Sequence, residues 1–367
     1  MFCVEKIRIG LFFGGVSSEH EVSLVSATAW AKALRQGVCA GKYEVILVGI
    51  TKDGRWLRYD GPAEKLADGT WAQDEGCIPC VFSPDRADHG LLLLRDTGAE
   101  RIRLDAAVPM LHGKNGEDGT MQGLFALSGV PYVGCGVLAS AVCMDKAVAN
   151  TLMDAGGIPH CRWCWAGRDE AADFDALADR VERTLPYPVF VKPANAGSSV
   201  GISKAKDRAG LRGAIGVALA EDDKIVFEEF VEGQEVECAV IGNTAADITA
   251  TRPGEILAGA EFYTYDDKYK NGVSQVVIPA GLSDGKLDEV RDTAVRAYRA
   301  LGCAGLARCD FFVEKGTGRV LCNELNTMPG FTAISMYPKL MAHDGVDFPA
   351  LADRLITLAC SKRKGAY

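Results

Sequence analysis

The sequence predicts an α/β fold in three lobes, the smallest in the middle, and three observations lead there. First, continuous apolar runs at 7–13, 44–50 and 104–110 read as strands covered on both faces. A helix-like stretch at 22–35 lies between the first two, which makes the opening a βαβ unit. Second, a short block at 158–232 carries strands of its own at 189–193, 201–205 and 225–231, with helical stretches at 169–184 and 207–220. Third, strands dominate again from Glu235, in EVECAVIG, SQVVIPAGL, GLARCDFFVE and RVLCNEL. One helix interrupts them, with Leu287, Val290, Ala294, Ala297 and Leu301 on one face. The predicted lobes are 1–140, 141–232 and 233–367. Residues 52–100, more polar and rich in turns, read as an elaboration of the first lobe, and 137–157 as one helix stopped by Gly156-Gly157. No internal repeat, low-complexity tract or long linker interrupts this order.

The bulk properties narrow the function. A chain of 367 residues has ample length for several cores, and 48% hydrophobic with 24% charged content is that of a folded globular protein. A net charge of −9 and a pI near 5.2 argue against nucleic acid and anionic membranes as partners. No apolar run is long enough to span a bilayer, and MFCVEKIRIGLFFGG reads as a first strand rather than a secretory signal. Thirteen scattered cysteines, many inside apolar runs, fit reduced thiols in a cytoplasmic protein. Two CxxC pairs, Cys77/Cys80 and Cys161/Cys164, stand too far apart for a zinc ribbon and are read as chance spacings.

The chemistry is carried first by GLARCDFFVEKGTGRVLCNELNTMPG. Strands at 305–313 and 319–325 flank a turn at 314–318, and antiparallel pairing brings Asp310 opposite Glu324 and Asn326. Carboxylates side by side repel unless a cation sits between them, and all-oxygen ligands suit Mg²⁺ or Mn²⁺. The hairpin alone also admits a solvated edge with unrelated acids. A second feature points the same way: KPANAGSSVG (192–201) follows a strand and offers backbone N–H groups and a lysine to an anion. Its spacing is not that of a Walker A loop. Together the two features call for a nucleoside triphosphate.

FFGGVSSEHEVS (12–23), LHGKNGEDGTMQG (111–123), MDK (144–146), VKPANAGSSVG and NELNTMPGF together resemble the D-alanine–D-alanine ligases, ATP-grasp enzymes of peptidoglycan precursor synthesis. The resemblance runs over nearly the whole chain. It implies a Rossmann-like N-terminal domain, a small central lid domain and a C-terminal α+β domain, with ATP between the last two. It implies that two D-alanines are joined through a D-alanyl phosphate. Asp310, Glu324 and Asn326 would hold two Mg²⁺ or Mn²⁺ ions. Lys146 and Lys192 would grip the ATP phosphates, with Lys268 joining on loop closure; Glu228 would meet adenine and Glu235 the ribose. Glu19 would anchor the first substrate's ammonium, Arg308 and the N–H of Gly330 would form an oxyanion hole, and Ser335 with Met336 would meet the second substrate.

His112 opens a glycine-rich loop at the C-terminal end of a strand, where α/β sites lie, and is placed in the site without a fixed role. Glu117 in the same loop is read as a loop support. Residues 261–281 resemble the loop that closes over nucleotide, with Tyr269 reaching Ser198 and through it Glu19. The family also implies a homodimer. Two departures stand out: Glu229, where many relatives carry lysine, and Ala333-Ile334, where some carry Ser-His. A D-alanine–D-serine ligase of the vancomycin-resistance type is the near alternative. A dinucleotide-dependent oxidoreductase, suggested by Gly134-Cys-Gly136-Val-Leu-Ala139, is the remote one.

Overall fold

A computed structural model describes residues 5–257 and 275–361. It contains three sheets, in the chain order expected. The first has seven strands. Ile7–Gly14 lies at the centre of its parallel part, flanked by Tyr43–Ile50 and Ala106–Met110. The helix His20–Ala33 makes the crossover. Four antiparallel strands between Trp56 and Arg103 extend the sheet, so the polar stretch read as elaboration is ordered structure.

The second sheet has four antiparallel strands, ordered Ser203–Ala205, Val189–Pro193, Lys224–Glu229, Trp163–Gly167. Helices Phe174–Thr184 and Arg208–Glu221 close a core of their own that includes Leu177, Val181, Val191, Leu211 and Phe227. The strand Trp163–Gly167 escaped the sequence reading because its partner lies some 60 residues downstream, at Lys224–Glu229.

The third sheet is built on Gly233–Gly242, Gly305–Glu314 and Val320–Asn326, with shorter strands at its edge. It does not stand apart from the first lobe. One apolar core runs from Leu11, Trp30 and Val108 through Ala239 and Leu306 to Phe331 and Tyr337. Trp30 and Phe331 meet edge to face at 5.3 Å, and Phe331 stacks on Phe348 at 5.5 Å. Such contacts add to the area term that drives burial.

One element differs from expectation. The helix read over 137–157 is two helices, Val137–Met144 and Lys146–Ala155. Asp145 leaves helical geometry between them and caps the second by accepting from the N–H groups of Ala147 and Val148. Its other oxygen pairs with Lys224 of the central sheet. The break therefore sets Lys146 at a helix N-terminus facing the central sheet.

Candidate active site where the three lobes meet

Two cavities of about 320 and 280 Å³ adjoin one another where the three lobes converge. Both are walled by Lys146, Ser198, Glu237 and Glu324. The first also reaches Glu19, His112, Arg308, Asn326, Gly330 and Ser335. The second also reaches Lys192, Glu228, Glu235 and Asp310, with the rings of Phe190 and Phe230. Residues assigned by resemblance to the amino-acid substrates thus line one cavity, and those assigned to the nucleotide line the other.

The acidic floor follows from strand register. Asp310 pairs directly with Glu324, and Arg308 with Asn326. The register then shifts between Asp310 and Phe311, which leaves Asn323 as an extra residue. A bulge of this kind re-aims side chains beside active sites. Here the Asn323 amide oxygen comes 3.4 Å from Lys192 Nζ. Arg308 donates to both oxygens of Asp310, at 2.7 and 2.6 Å, and the Asn326 amide donates to Asp310 at 3.1 Å. Burial works against the Arg308 charge, but Asp310 and Glu237 outweigh it and hold the guanidinium firmly protonated.

The two lysines sit differently. Lys192 Nζ is buried and lies 2.5 Å from Glu228, whose other oxygen accepts from Asn150 at 3.3 Å. Burial opposes that charge and Glu228 overcomes it, so the Lys192 ammonium is held above its usual range. Lys146 donates to the carbonyl of Ala196 at 2.7 Å, and its backbone N–H donates to Ala194. Burial lowers its pKa, against the pull of Glu324. Lys146 therefore bridges the break at Asp145 and the loop 194–200.

That loop is held open at a cost. Ser198 and Ser199 both have positive φ, +52° and +60°, a region L-residues avoid. The strained turn aims the Ser198 hydroxyl at Glu19, to which it donates. Glu19 lies in the turn that follows the first strand, just before the helix His20–Ala33. Gly113 leaves room for it: a Cβ there would fall 2.5 Å from Glu19 Oε2. Tyr269 and Lys268 lie outside the described residues, as does 261–274 of the expected closing loop.

His112 lines the first cavity with both ring nitrogens engaged by protein groups. Its Nδ1 donates to the carbonyl of Met328 at 3.0 Å, and its Nε2 accepts from the Ser26 hydroxyl at 3.0 Å. The Met328 carbonyl can only accept, which fixes these roles in the neutral ring, and Ser26 in turn accepts the N–H of Phe331 at 3.2 Å. Burial lowers the imidazole pKa and keeps it neutral. The ring is a strut between the first and third lobes. Glu117 acts likewise, accepting from Gly113 at 2.7 Å and from Met328 at 3.2 Å. Ser335 precedes the helix Met336–His343, and its hydroxyl accepts from Thr332 at 3.0 Å.

Sequence reasoning missed Glu237, which lies 2.9 Å from Arg308 and walls both cavities. Its signal was available: in EVECAVIG it is the second acid on the face of Glu235, in an otherwise apolar strand. Glu229, the charge reversal, borders the second cavity with its carboxylate engaged by Arg162. It accepts from the Arg162 side chain at 2.7 Å and from its backbone N–H at 2.9 Å. The CxxC cysteines are free thiols. Burial pushes Cys80 and Cys161 up to about 12 and Cys164 to about 11, which makes poor nucleophiles. Gly134 of the glycine-rich triplet packs on Met328, 2.7 Å from where its Cβ would be, so lobe packing accounts for it.

Models of the D-ala D-ala ligase N-terminus and C-terminus match residues 8–135 and 152–357. The D-alanine–D-alanine ligase of Caldicellulosiruptor bescii is 49% identical over 98% of this chain and 96% of that protein. That of Acetivibrio thermocellus is 46% identical over 98% and 97%. The crystal structure of the VanG D-Ala:D-Ser ligase from Enterococcus faecalis superposes with a TM-score of 0.87 at 38% identity, covering 97% of this chain and all of that one. With both halves matched in order and near-complete coverage on each side, the chain belongs to the D-alanine–D-alanine ligase family.

Proposed function

We propose that this ligase joins two D-alanines into D-alanyl-D-alanine at the expense of ATP, in the cytoplasm, for peptidoglycan precursors. What supports the reading most is the pair of adjoining cavities that share Lys146, Ser198 and Glu324. A phosphoryl group can pass there from a nucleotide on one side to a carboxylate on the other without crossing solvent. Adenine would lie against the paired Phe190 and Phe230 rings, near Glu228, with the ribose at Glu235 and the phosphates toward Lys192 and Lys146. Lys268 and Tyr269 would complete the cover.

Phosphoryl transfer between anions depends chiefly on charge neutralisation and alignment. In this reading Glu19, held by Ser198, fixes the ammonium of the first D-alanine, so its carboxylate faces the shared wall. Arg308 and the Gly330 N–H then stabilise the oxyanion when the second amine attacks the acyl phosphate. Ser335, at the N-terminus of Met336–His343 with Met336 beside it, receives the second carboxylate.

The donor set fits a hard divalent cation. Asp310 faces Glu324 across the hairpin and Asn326 adds an amide oxygen, all suited to Mg²⁺ or Mn²⁺. Among the described residues no three His, Cys, Asp or Glu side chains form such a group by themselves. Two carboxylates and an amide leave coordination for phosphate oxygens, as magnesium sites usually do. We assign the set two ions, which when bound would neutralise the β- and γ-phosphates, and we assign the protein a homodimeric state.

The test is ADP release with Mg²⁺-ATP and D-alanine, with the product identified by mass. D-Alanyl-D-alanine that stays the main product when D-serine competes is the expected result. A switch to D-alanyl-D-serine would transfer the chain to the specificity named for its structural neighbour. No ADP release with any D-amino acid would overturn the substrate assignment.

A further inference from the structure

Three carboxylates lie in one row across the floor of the site. Glu237 pairs with Asp310 on one side, and Asp310 with Glu324 on the other. Like charges directly opposite one another destabilise a sheet. A single guanidinium mediates between two of them: Arg308 Nε is 2.7 Å from Asp310 and 2.9 Å from Glu237. Glu237 is buried at 6% exposure and walls both cavities.

Resting on the ligase reading, we propose that Glu237 is a positioning residue that retains Arg308 when a divalent cation takes Asp310. An arginine that takes one lone pair on each carboxylate oxygen leaves the others for a cation, but the two positive groups then share one negative charge. The Arg308–Asp310 clamp and metal ligation therefore compete for the charge of the same oxygens. Glu237 resolves the competition by offering the guanidinium a second anion on the neighbouring strand. Arg308 then stays at the cavity wall, where the oxyanion forms, instead of following Asp310 or swinging into the substrate space. The local charge points the same way. Removing one of three negative charges beside a fixed arginine weakens the attraction of the floor for a cation.

The experiment is Mn²⁺ binding to the whole protein without nucleotide, followed by the loss of the free-ion paramagnetic resonance signal. Glu237→Gln keeps the shape of the side chain and removes its charge. Its Mn²⁺ dissociation constant is expected to rise by about tenfold, from the Coulomb interaction at this range. Its kcat is expected to fall by a similar factor or more with little change in KM for ATP, since the clamp acts on transition-state charge. A residue that only filled space would leave both unchanged in the glutamine variant. Wild-type Mn²⁺ affinity in a folded Glu237→Gln protein would overturn the proposal, even with D-alanyl-D-alanine formed normally. Should that variant not fold, Glu237→Asp withdraws the carboxylate by one methylene; weakened Mn²⁺ binding there supports the clamp, and wild-type binding overturns it. Failure of the ligase reading would show separately, as no ADP release by the wild-type protein.

Discussion

The junction of the first and third lobes and the junction of the central lobe with both are built from opposite materials. At the first, apolar side chains of both lobes form one core, from Trp30 and Val108 to Phe331 and Tyr337, with buried His112 and partly buried Glu117 as polar struts. At the second, the central lobe keeps its own core and touches the rest through small apolar clusters, such as Cys161 and Val231 with Leu321. Polar ties join it as well, such as Ser198 to Glu19 and Lys192 to Asn323. Apolar area holds a fixed geometry, whereas a few exchangeable hydrogen bonds permit opening at small cost. On the proposed ligase reading, the chemistry belongs to a rigid floor and the control of water to a separate cover.

The sharpest way to break this division is at the floor. Glu324→Gln keeps the strand pairing and removes one of the row of carboxylates; turnover should fall by about 10³-fold or more while circular dichroism and melting are unchanged. Turnover near wild type would remove Glu324 from the chemistry. The next effect is on stability. Phe331→Ala empties the space between Trp30, Tyr337 and Phe348 and should cost about 3–5 kcal/mol, measured as loss of the whole folded state in urea. Leu177→Ala, at 3% exposure in the central core, removes comparable apolar contact. Its cost should appear as faster amide exchange confined to 163–229, with the two outer lobes protected as before. Equal loss of protection in all three lobes would show that the central lobe is not a separate cooperative unit.

Legibility in the sequence followed the range of the interactions. The hairpin around Asp310 and Glu324 was readable because its register is set by a turn a few residues away, and the loop 192–201 because small residues carry its conformation locally. The break at Asp145 was not readable: helical periodicity continues across it, and what stabilises the break is Lys224, 79 residues distant. The shared core of the outer lobes was equally hidden, since Trp30 and Phe331 are individually ordinary apolar residues. His112 shows both sides of this. Its place at a strand end marked it as part of the site, while its role as a strut depends on Ser26 and Met328, which no local pattern links to it.

The smallest predicted effect sharpens the description of the rigid junction. Burial, reinforced by the Glu19 charge, pushes the Glu117 carboxyl up to about 8, from 4.5 in the unfolded chain. Between those values the folded protein holds a proton that the unfolded chain has released, so stability is full below the unfolded value and is lost as pH rises toward 8. Glu117→Gln removes this dependence, because the amide stays neutral. It also offers one acceptor oxygen to the two N–H groups of Gly113 and Met328, which costs about 1 kcal/mol or somewhat more at low pH. The melting curves of the two proteins should therefore cross with rising pH: the variant is the less stable below pH 4.5 and the more stable by pH 8, because only the wild type loses stability over that range. Parallel slopes across that range would mean that Glu117 is ionised in the folded protein. The junction would then have to accommodate a buried negative charge beside Glu19, and its rigidity would rest on the apolar core alone.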